Sequence, residues 1–291
     1  MDPISFALAL GGIPGMFTSC VECCRYIQFG RDFEKDFGMT LCKLEACELR
    51  LTRWGTAMGI EGPDSRLRAD LYGKEQIKSA YHWLTEIEKA FNIATETSAR
   101  FKSTAKPEKL LLLDTDTEIA KANNSLNGLH LTMRNIIDGR LKPRKRDRVV
   151  WALYKRGNYE NLVENISDLV NNLVELFPST TPEQGQLCRK EVQVMSSGSL
   201  ELLREVTDGE DEVLKGILQM ELQQRTIHVG EVQVKEDFVG QIGDNVELAS
   251  QASNIEIKVV GGSGRAMLHI GSNIASGKTI YDQGQRKNYH P

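Results

Sequence analysis

Apolar residues recur every three or four positions through most of the chain and every second position near its end. The first spacing puts side chains on one face of an α-helix; the second puts them on one face of a β-strand. Four apolar stripes carry the helical period. They are Leu44, Cys47, Leu51, Trp54 and Met58; then Ile77, Ala80, Leu84, Ile87, Phe91, Ala94, Ser98 and Phe101; then Ile119, Ala122, Leu126, Leu129, Met133 and Ile136; then Tyr159, Leu162, Ile166, Leu169, Leu173 and Leu176. Each stripe needs a partner to cover it, so the four predict an antiparallel helical bundle. Thr115 to Glu118 reads as a capping box opening the third helix, and Thr181-Pro182-Glu183-Gln184 as a cap with proline at the first helical position. Shorter helices are expected over residues 183–195, 199–205 and 211–221.

An earlier stretch, residues 4–30, is apolar but broken by Gly11, Gly12 and Pro14, which weaken a helix in its first half. Residues 4–21, with Ile4, Phe6, Leu8, Leu10, Ile13, Met16, Phe17 and Val21, carry no charge. As a helix they would span about 27 Å, close to the ~30 Å of a hydrocarbon core. The stretch therefore reads either as a buried core helix, which Thr18, Ser19 and Glu22 favour, or as a membrane segment.

After Gln224 the period changes. Ile227, Val229, Val232 and Val234 alternate with polar residues, as do Ile255, Ile257 and Val259, and Leu268 with Ile270. The alternating stretch occurs twice, at residues 226–246 and 254–274. Laid over each other without a gap, Ile227 meets Ile255, Val229 meets Ile257, Ile242 meets Ile270, Gly243 meets Gly271, Asn245 meets Asn273 and Val246 meets Ile274, all 28 positions apart. Such repeats stack, because one unit cannot bury its own apolar face. Two copies are few for a free-standing solenoid, so this tail is expected to complete its core with other copies of itself. No proline separates Pro182 from Pro291, and low charge with β-branched residues is the pattern of self-stacking strands. In such a stack Asp237 lies over Arg265, His228 over Glu256 and Asn245 over Asn273.

Composition refines this picture. The chain has 291 residues, 40% hydrophobic and 26% charged, enough for a bundle with a real core plus a tail. Charged residues concentrate before residue 222, which marks a boundary between a domain at 1–222 and another at 223–291. The net charge of −4 and the absence of aromatics among Arg140, Lys142, Arg144, Lys145, Arg146 and Arg148 argue against nucleic acid. That basic run reads as a solvated loop or as a contact for anionic lipid headgroups. Five of the six cysteines, Cys20, Cys23, Cys24, Cys42 and Cys47, cluster early and lack a second set of metal ligands, so they read as buried thiols of a reducing compartment. Residues 271–279 resemble a phosphate-binding loop, with one residue too many between glycines and no strand-to-helix context. No catalytic constellation and no cofactor site stand out, so an enzyme is not expected.

The chain resembles the fungal HET-s/HET-S family, a HeLo domain followed by a prion-forming domain. The resemblance rests on Cys20-Val21-Glu22-Cys23, Tyr26-Ile27-Gln28-Phe29-Gly30-Arg31, Leu51-Thr52-Arg53-Trp54-Gly55, Trp151-Ala152-Leu153-Tyr154, Leu176-Phe177-Pro178, the two repeats, and Gly277-Lys278-Thr279-Ile280-Tyr281-Asp282. It implies an all-α N-terminal bundle similar to the four-helix executioner domains of necroptotic pseudokinases. It implies a tail that is disordered when soluble and a two-repeat β-solenoid when assembled as amyloid. It further implies a programmed-cell-death and heterokaryon-incompatibility effector, cytoplasmic when soluble. On that resemblance, seeded folding of the tail is expected to disrupt the bundle and send the N-terminal apolar segment into the plasma membrane. The alternative is a non-toxic prion-type inhibitor or scaffold of the same fold, which propagates amyloid without membrane activity. The partners implied are the chain itself, amyloid seeds from a related motif such as one on an NLR-type receptor, and membrane lipids.

The stacking register gives a first prediction. Asp237→Arg should slow fibre formation followed by thioflavin fluorescence, and adding Arg265→Asp should restore it. Wild-type rates in both variants would refute the pairing.

Overall fold

The computed structural model describes residues 3–25, 27–30, 33, 37–65, 67, 71–121, 124–141, 151–234, 239–242, 245–246, 254–262, 267–270 and 273–274. The helices are α1 (Pro3–Arg25), α2 (Phe37–Ala57), α3 (Lys74–Thr104), α4 (Thr115–Ala120), α5 (Asn124–Arg140), α6 (Arg156–Glu175), α7 (Thr181–Gln193), α8 (Ser197–Val206) and α9 (Glu212–Gln224). Two short strands lie among them, β1 (Ile27–Phe29) and β2 (Trp151–Leu153).

Helix α2 is buried on two faces, and this organises the bundle. The stripe of Leu44, Cys47, Leu51, Trp54 and Met58 meets α1, α3 and α6 in one apolar core, with Ile13, Phe17, Leu84, Ile87, Ile166 and Leu173. A second stripe, Cys42, Ala46 and Leu49, meets α5 and α7 to α9 in another core, with Leu129, Met133, Val192, Leu203 and Leu218. A helix apolar all round belongs in the interior.

Several expectations change. α1 is one continuous helix through Gly11, Gly12 and Pro14. Pro14 cannot donate to the preceding turn, but its neighbours pack: Pro14 is buried, and the Thr18 hydroxyl donates to the Pro14 carbonyl at 2.8 Å. The third stripe is split between α4 and α5. Ile119 belongs to the first core and Leu126, Leu129, Met133 and Ile137 to the second, so the chain breaks as it crosses between them. Ile137, not Ile136, is the fully buried member, and Ala122 lies outside the described residues. α7 starts one residue early, with Thr180 as its cap and Gln184 Nε2 donating to the Thr180 hydroxyl at 2.9 Å.

The β1–β2 pair was not expected from periodicity. It is parallel, with Ile27 opposite Trp151 and Phe29 opposite Leu153. Three-residue strands are too short to show a period. Phe29 anchors the pair, edge-on to Phe33, Phe37 and Tyr159 at centroid distances of 5.1, 5.5 and 5.6 Å.

Beyond α9 lie β3 (Thr226–Val234), β4 (Val239–Ile242), β5 (Asn245–Val246), β6 (Asn254–Gly262), β7 (Met267–Ile270) and β8 (Asn273–Ile274). They pair in parallel as β3 with β6, β4 with β7 and β5 with β8.

The contact of α1 with α2 is close at one point. A Cβ placed on Gly55 would stand 2.1 Å from Phe17 Cζ. Gly55→Ala should therefore lower stability by about 1–3 kcal/mol through overpacking, despite a helix-propensity gain of roughly 1 kcal/mol. A lower urea midpoint with an unchanged slope would show it.

Candidate functional site

Three features lie where the sequence points to function: the seat of α1, the junction at the end of α9, and the paired repeats. In the seat, Ile13, Phe17 and Val21 are buried and Leu10 and Met16 half-buried, whereas the side chains of Ile4, Phe6 and Leu8 lie outside the described residues. Phe17 leans on Trp54 at 5.9 Å, and Trp54 in turn on Phe177 at 5.9 Å. Ser19 Oγ donates to Glu88 Oε1 at 3.1 Å. Among the described residues no helix is long and apolar enough to cross a membrane.

Arg25 closes α1 at its C-terminal end, where a cation complements the helix dipole. Its guanidinium faces Glu48 at 3.4 Å and Asp138 at 2.9 Å. Glu48 and Glu45, one turn apart on α2, are both 0% exposed. Arg134 from α5 bridges them, at 2.6 Å to Glu45 and 3.2 Å to Glu48, and His130 Nδ1 stands 3.0 Å from Glu45. Burial opposes the Arg134 charge, but the two carboxylates outweigh it and raise its pKa.

A second buried cluster ties α2 to α7 and α9. Arg53, 1% exposed, donates through Nε and Nη2 to Glu191 at 2.9 and 2.6 Å and through Nη1 to Asp211. Arg50 adds to Asp211 at 3.7 Å, and Arg140 reaches Glu191. Burial would raise the Asp211 carboxyl, but Arg53 and Arg50 outweigh it and hold it below its usual range. Arg140 is thus a half-buried residue at the end of α5, tied to α7, while 142–150 lie outside the described residues.

Asp211 is also the cap of α9, its Oδ1 accepting from Leu214 N at 3.1 Å. At the other end of α9, Arg225 donates to Met195 O at 2.6 Å, Val192 O at 3.2 Å and Glu221 Oε1 at 2.8 Å. The next residue, Thr226, is already the first of β3. The bundle therefore ends on a clamped helix with no slack before the tail.

In the tail the parallel register sets Ile227 opposite Ile255, Val229 opposite Ile257 and His228 opposite Glu256. It sets Ile242 opposite Ile270, Asn245 opposite Asn273 and Val246 opposite Ile274. Asp237, Arg265, Gly243 and Gly271 lie outside the described residues.

Burial works against thiolate formation at the cysteines. Burial pushes the thiols of Cys20 and Cys24 well up and that of Cys47 to about 12. Thiols held protonated are poor nucleophiles and poor metal ligands. Among the described residues no group of side chains could hold a metal ion.

The HeLo family, described as prion-inhibition and propagation, matches residues 6–206. The chain belongs to the HeLo family. Its relatives include heterokaryon incompatibility protein S of Podospora anserina, 26% identical over 212 residues, which cover 72% of this chain and 71% of that protein. Heterokaryon incompatibility protein s of the same organism is 26% identical over 216 residues, with the same coverage. The solved N-terminal domain of HET-s, in a double mutant, matches with TM-score 0.65 at 25% identity, over 72% of this chain and 98% of that one. The HET-S N-terminal domain matches with TM-score 0.63 at 22% identity, over 76% and 99%, a likeness of fold. The matched region thus contains most of α1, together with Glu45, Glu48, Arg53, Arg134 and Glu191, and ends five residues before Asp211.

The charge clusters were not found from the sequence. Their signal was present: Glu45, Glu48 and Arg53 interrupt a helix that is otherwise apolar on two faces. Such charges have no wet face to turn to and need buried partners. Arg53→Met would leave Glu191 and Asp211 short of a countercharge and should cost about 3–5 kcal/mol. An unchanged urea midpoint would show that the cluster is no net stabiliser.

Proposed function

We propose that this HeLo protein is an effector of heterokaryon incompatibility and programmed cell death, switched by amyloid templating of its tail. The observation that carries the reading is the junction at Arg225, where a clamped core helix passes directly into an open parallel ladder. Among the described residues each of β3 to β8 has one strand neighbour. Its other edge offers N–H and C=O groups to a further chain. Two-stranded parallel pairs are marginal alone and gain from extension. Copies added at the same register would stack Ile227, Val229, Ile242, Gly243, Asn245 and Val246 on Ile255, Ile257, Ile270, Gly271, Asn273 and Ile274. On this reading the two paired copies of one chain are the unit that a further chain extends, with the domain boundary near residue 222.

The consequence for the bundle is mechanical. Drawing residue 226 into a growing stack pulls on Arg225, whose loss from Met195 O and Val192 O frees the end of α9. α9 carries Asp211, so its movement strips Arg53 and Arg50 of a carboxylate. A buried arginine left short of partners costs several kcal/mol, and the bundle loosens. α1, closed by Arg25 and otherwise uncharged from Pro3 to Val21, is the segment then free to enter a lipid phase. The chain itself, a seed of related motif such as one borne by an NLR-type receptor, and lipids are the partners on this reading. The soluble form is cytoplasmic and the activated form is at the plasma membrane. A non-toxic prion form of the same fold is the alternative, favoured by the depth at which Ile13, Phe17 and Val21 are buried.

The test adds preformed fibres of residues 223–291 to full-length protein and dye-loaded liposomes. Seeded fibre growth with leakage is expected. Removal of residues 4–21 should leave fibre growth intact and abolish leakage. Growth without leakage in the full chain would select the non-toxic form, and no growth would overturn templating.

A further inference from the structure

Glu48 stands at the point where α1, α2 and α5 meet, and the groups around it come from each of them. α1 presents Arg25, 3.4 Å from Oε1, and Cys24. α5 presents Arg134, 3.2 Å from Oε2, and Asp138, which shares Arg25 at 2.9 Å. α2 itself contributes Glu45 and Cys47, and His130 of α5 is engaged by Glu45. Neighbouring charges on α7 are committed elsewhere, Glu191 to Arg53 and Arg140. Tyr159 of α6 donates to the Thr40 carbonyl.

Glu48 is therefore a fully buried carboxyl that shares both of its cations, Arg134 with Glu45 and Arg25 with Asp138. The sharing is imperfect. Among the described residues Glu48 Oε1, Arg25 Nε and Arg25 Nη2 are buried with no aligned hydrogen bond. A buried charge is stable only when paired and fully hydrogen-bonded, and here the shortfall falls on the contact that closes α1.

We propose that Glu48 is a proton-controlled latch on α1: its neutral form keeps the helix seated, and its ionised form favours release. Lifting α1 admits water to the carboxyl and removes Arg25 from it. In the seated form, burial outweighs Arg134 and Arg25 and pushes Glu48 up to about 7. In water the group returns to the ordinary carboxylate range, near 4.3. The seated form thus binds the proton more tightly than the open form. Seating is favoured at low pH, and that advantage is lost as pH rises from the ordinary carboxylate range through about 7. The proposal rests on α1 being the segment that leaves, but it needs neither seed nor membrane.

The test is amide hydrogen exchange of α1 in full-length, seed-free protein at pH 5.5 and pH 8, corrected for intrinsic exchange. The opening constant should rise about tenfold or more between the two. Glu48→Gln, which removes the charge and keeps the shape, should flatten that rise and protect α1 at pH 8. Asp138→Asn, altering the exposed partner, should keep it. A flat wild-type profile overturns the latch even if Glu48→Gln fails to fold. So does a rise that persists in Glu48→Gln or vanishes in Asp138→Asn. Because no seed is present, these outcomes leave the templating reading standing, and a failure of templating leaves them standing in turn.

Discussion

A helix buried on both sides has nowhere to put a charge except against another helix, and α2 buries three of them. Glu45 and Glu48 draw in α5 and the end of α1; Arg53 draws in α7 and the cap of α9. Apolar packing alone would let these helices slide or exchange, since hydrophobic contact is non-directional. Buried arginines and carboxylates are directional, because leaving one unpaired costs several kcal/mol. The two apolar cores supply cohesion, and the two ionic clusters select which helix ends lie where.

This division of labour links the ends of the domain. α1 begins the chain and α9 ends the bundle, yet both are fastened to α2, one through Glu48 and the other through Arg53. A disturbance at α9 reaches the middle helix within one ion pair. From there it meets the packing of Phe17 on Trp54, which neighbours Arg53 in sequence. Rigid, close-packed interiors transmit such displacements instead of absorbing them. The family likeness is carried by residues 6–206, which contain the α1 side of this linkage and Arg53 but end at Val206, before Asp211 and α9.

Period was the most legible property of the sequence. The stripes of α3 and α6 are buried almost residue for residue, with Ile77, Leu84, Ile87 and Phe91 in one helix and Tyr159, Leu162, Ile166 and Leu173 in the other. The HET-s/HET-S resemblance agrees with the family match and with the fold of the solved N-terminal domains. Features that depend on two distant segments were not legible. The break between α4 and α5 reflects a change of core, which no local pattern records. The β1–β2 pair joins residues 27 and 151, and its strands are too short for a period. Pro14 suggested a broken helix because local propensity is weighed before the packing that overrides it. The ionic clusters were written into α2 as charges on a helix with no polar face, but apart from Arg25 their partners lie 85 or more positions away, as in Glu45 with His130.

The parallel pairing of the tail also limits which changes in length the chain can absorb. β3, β4 and β5 each meet their counterparts 28 positions on, so the intervals between them in one copy must match those in the other in residue count. One residue inserted into a single copy would turn every following side chain of that copy to the opposite face. The same insertion made in both copies would preserve the match. The stretch from 247 to 253 is under no such rule, since it joins the end of one copy to the start of the next. Natural variation in length should therefore be paired within the repeats and free between them.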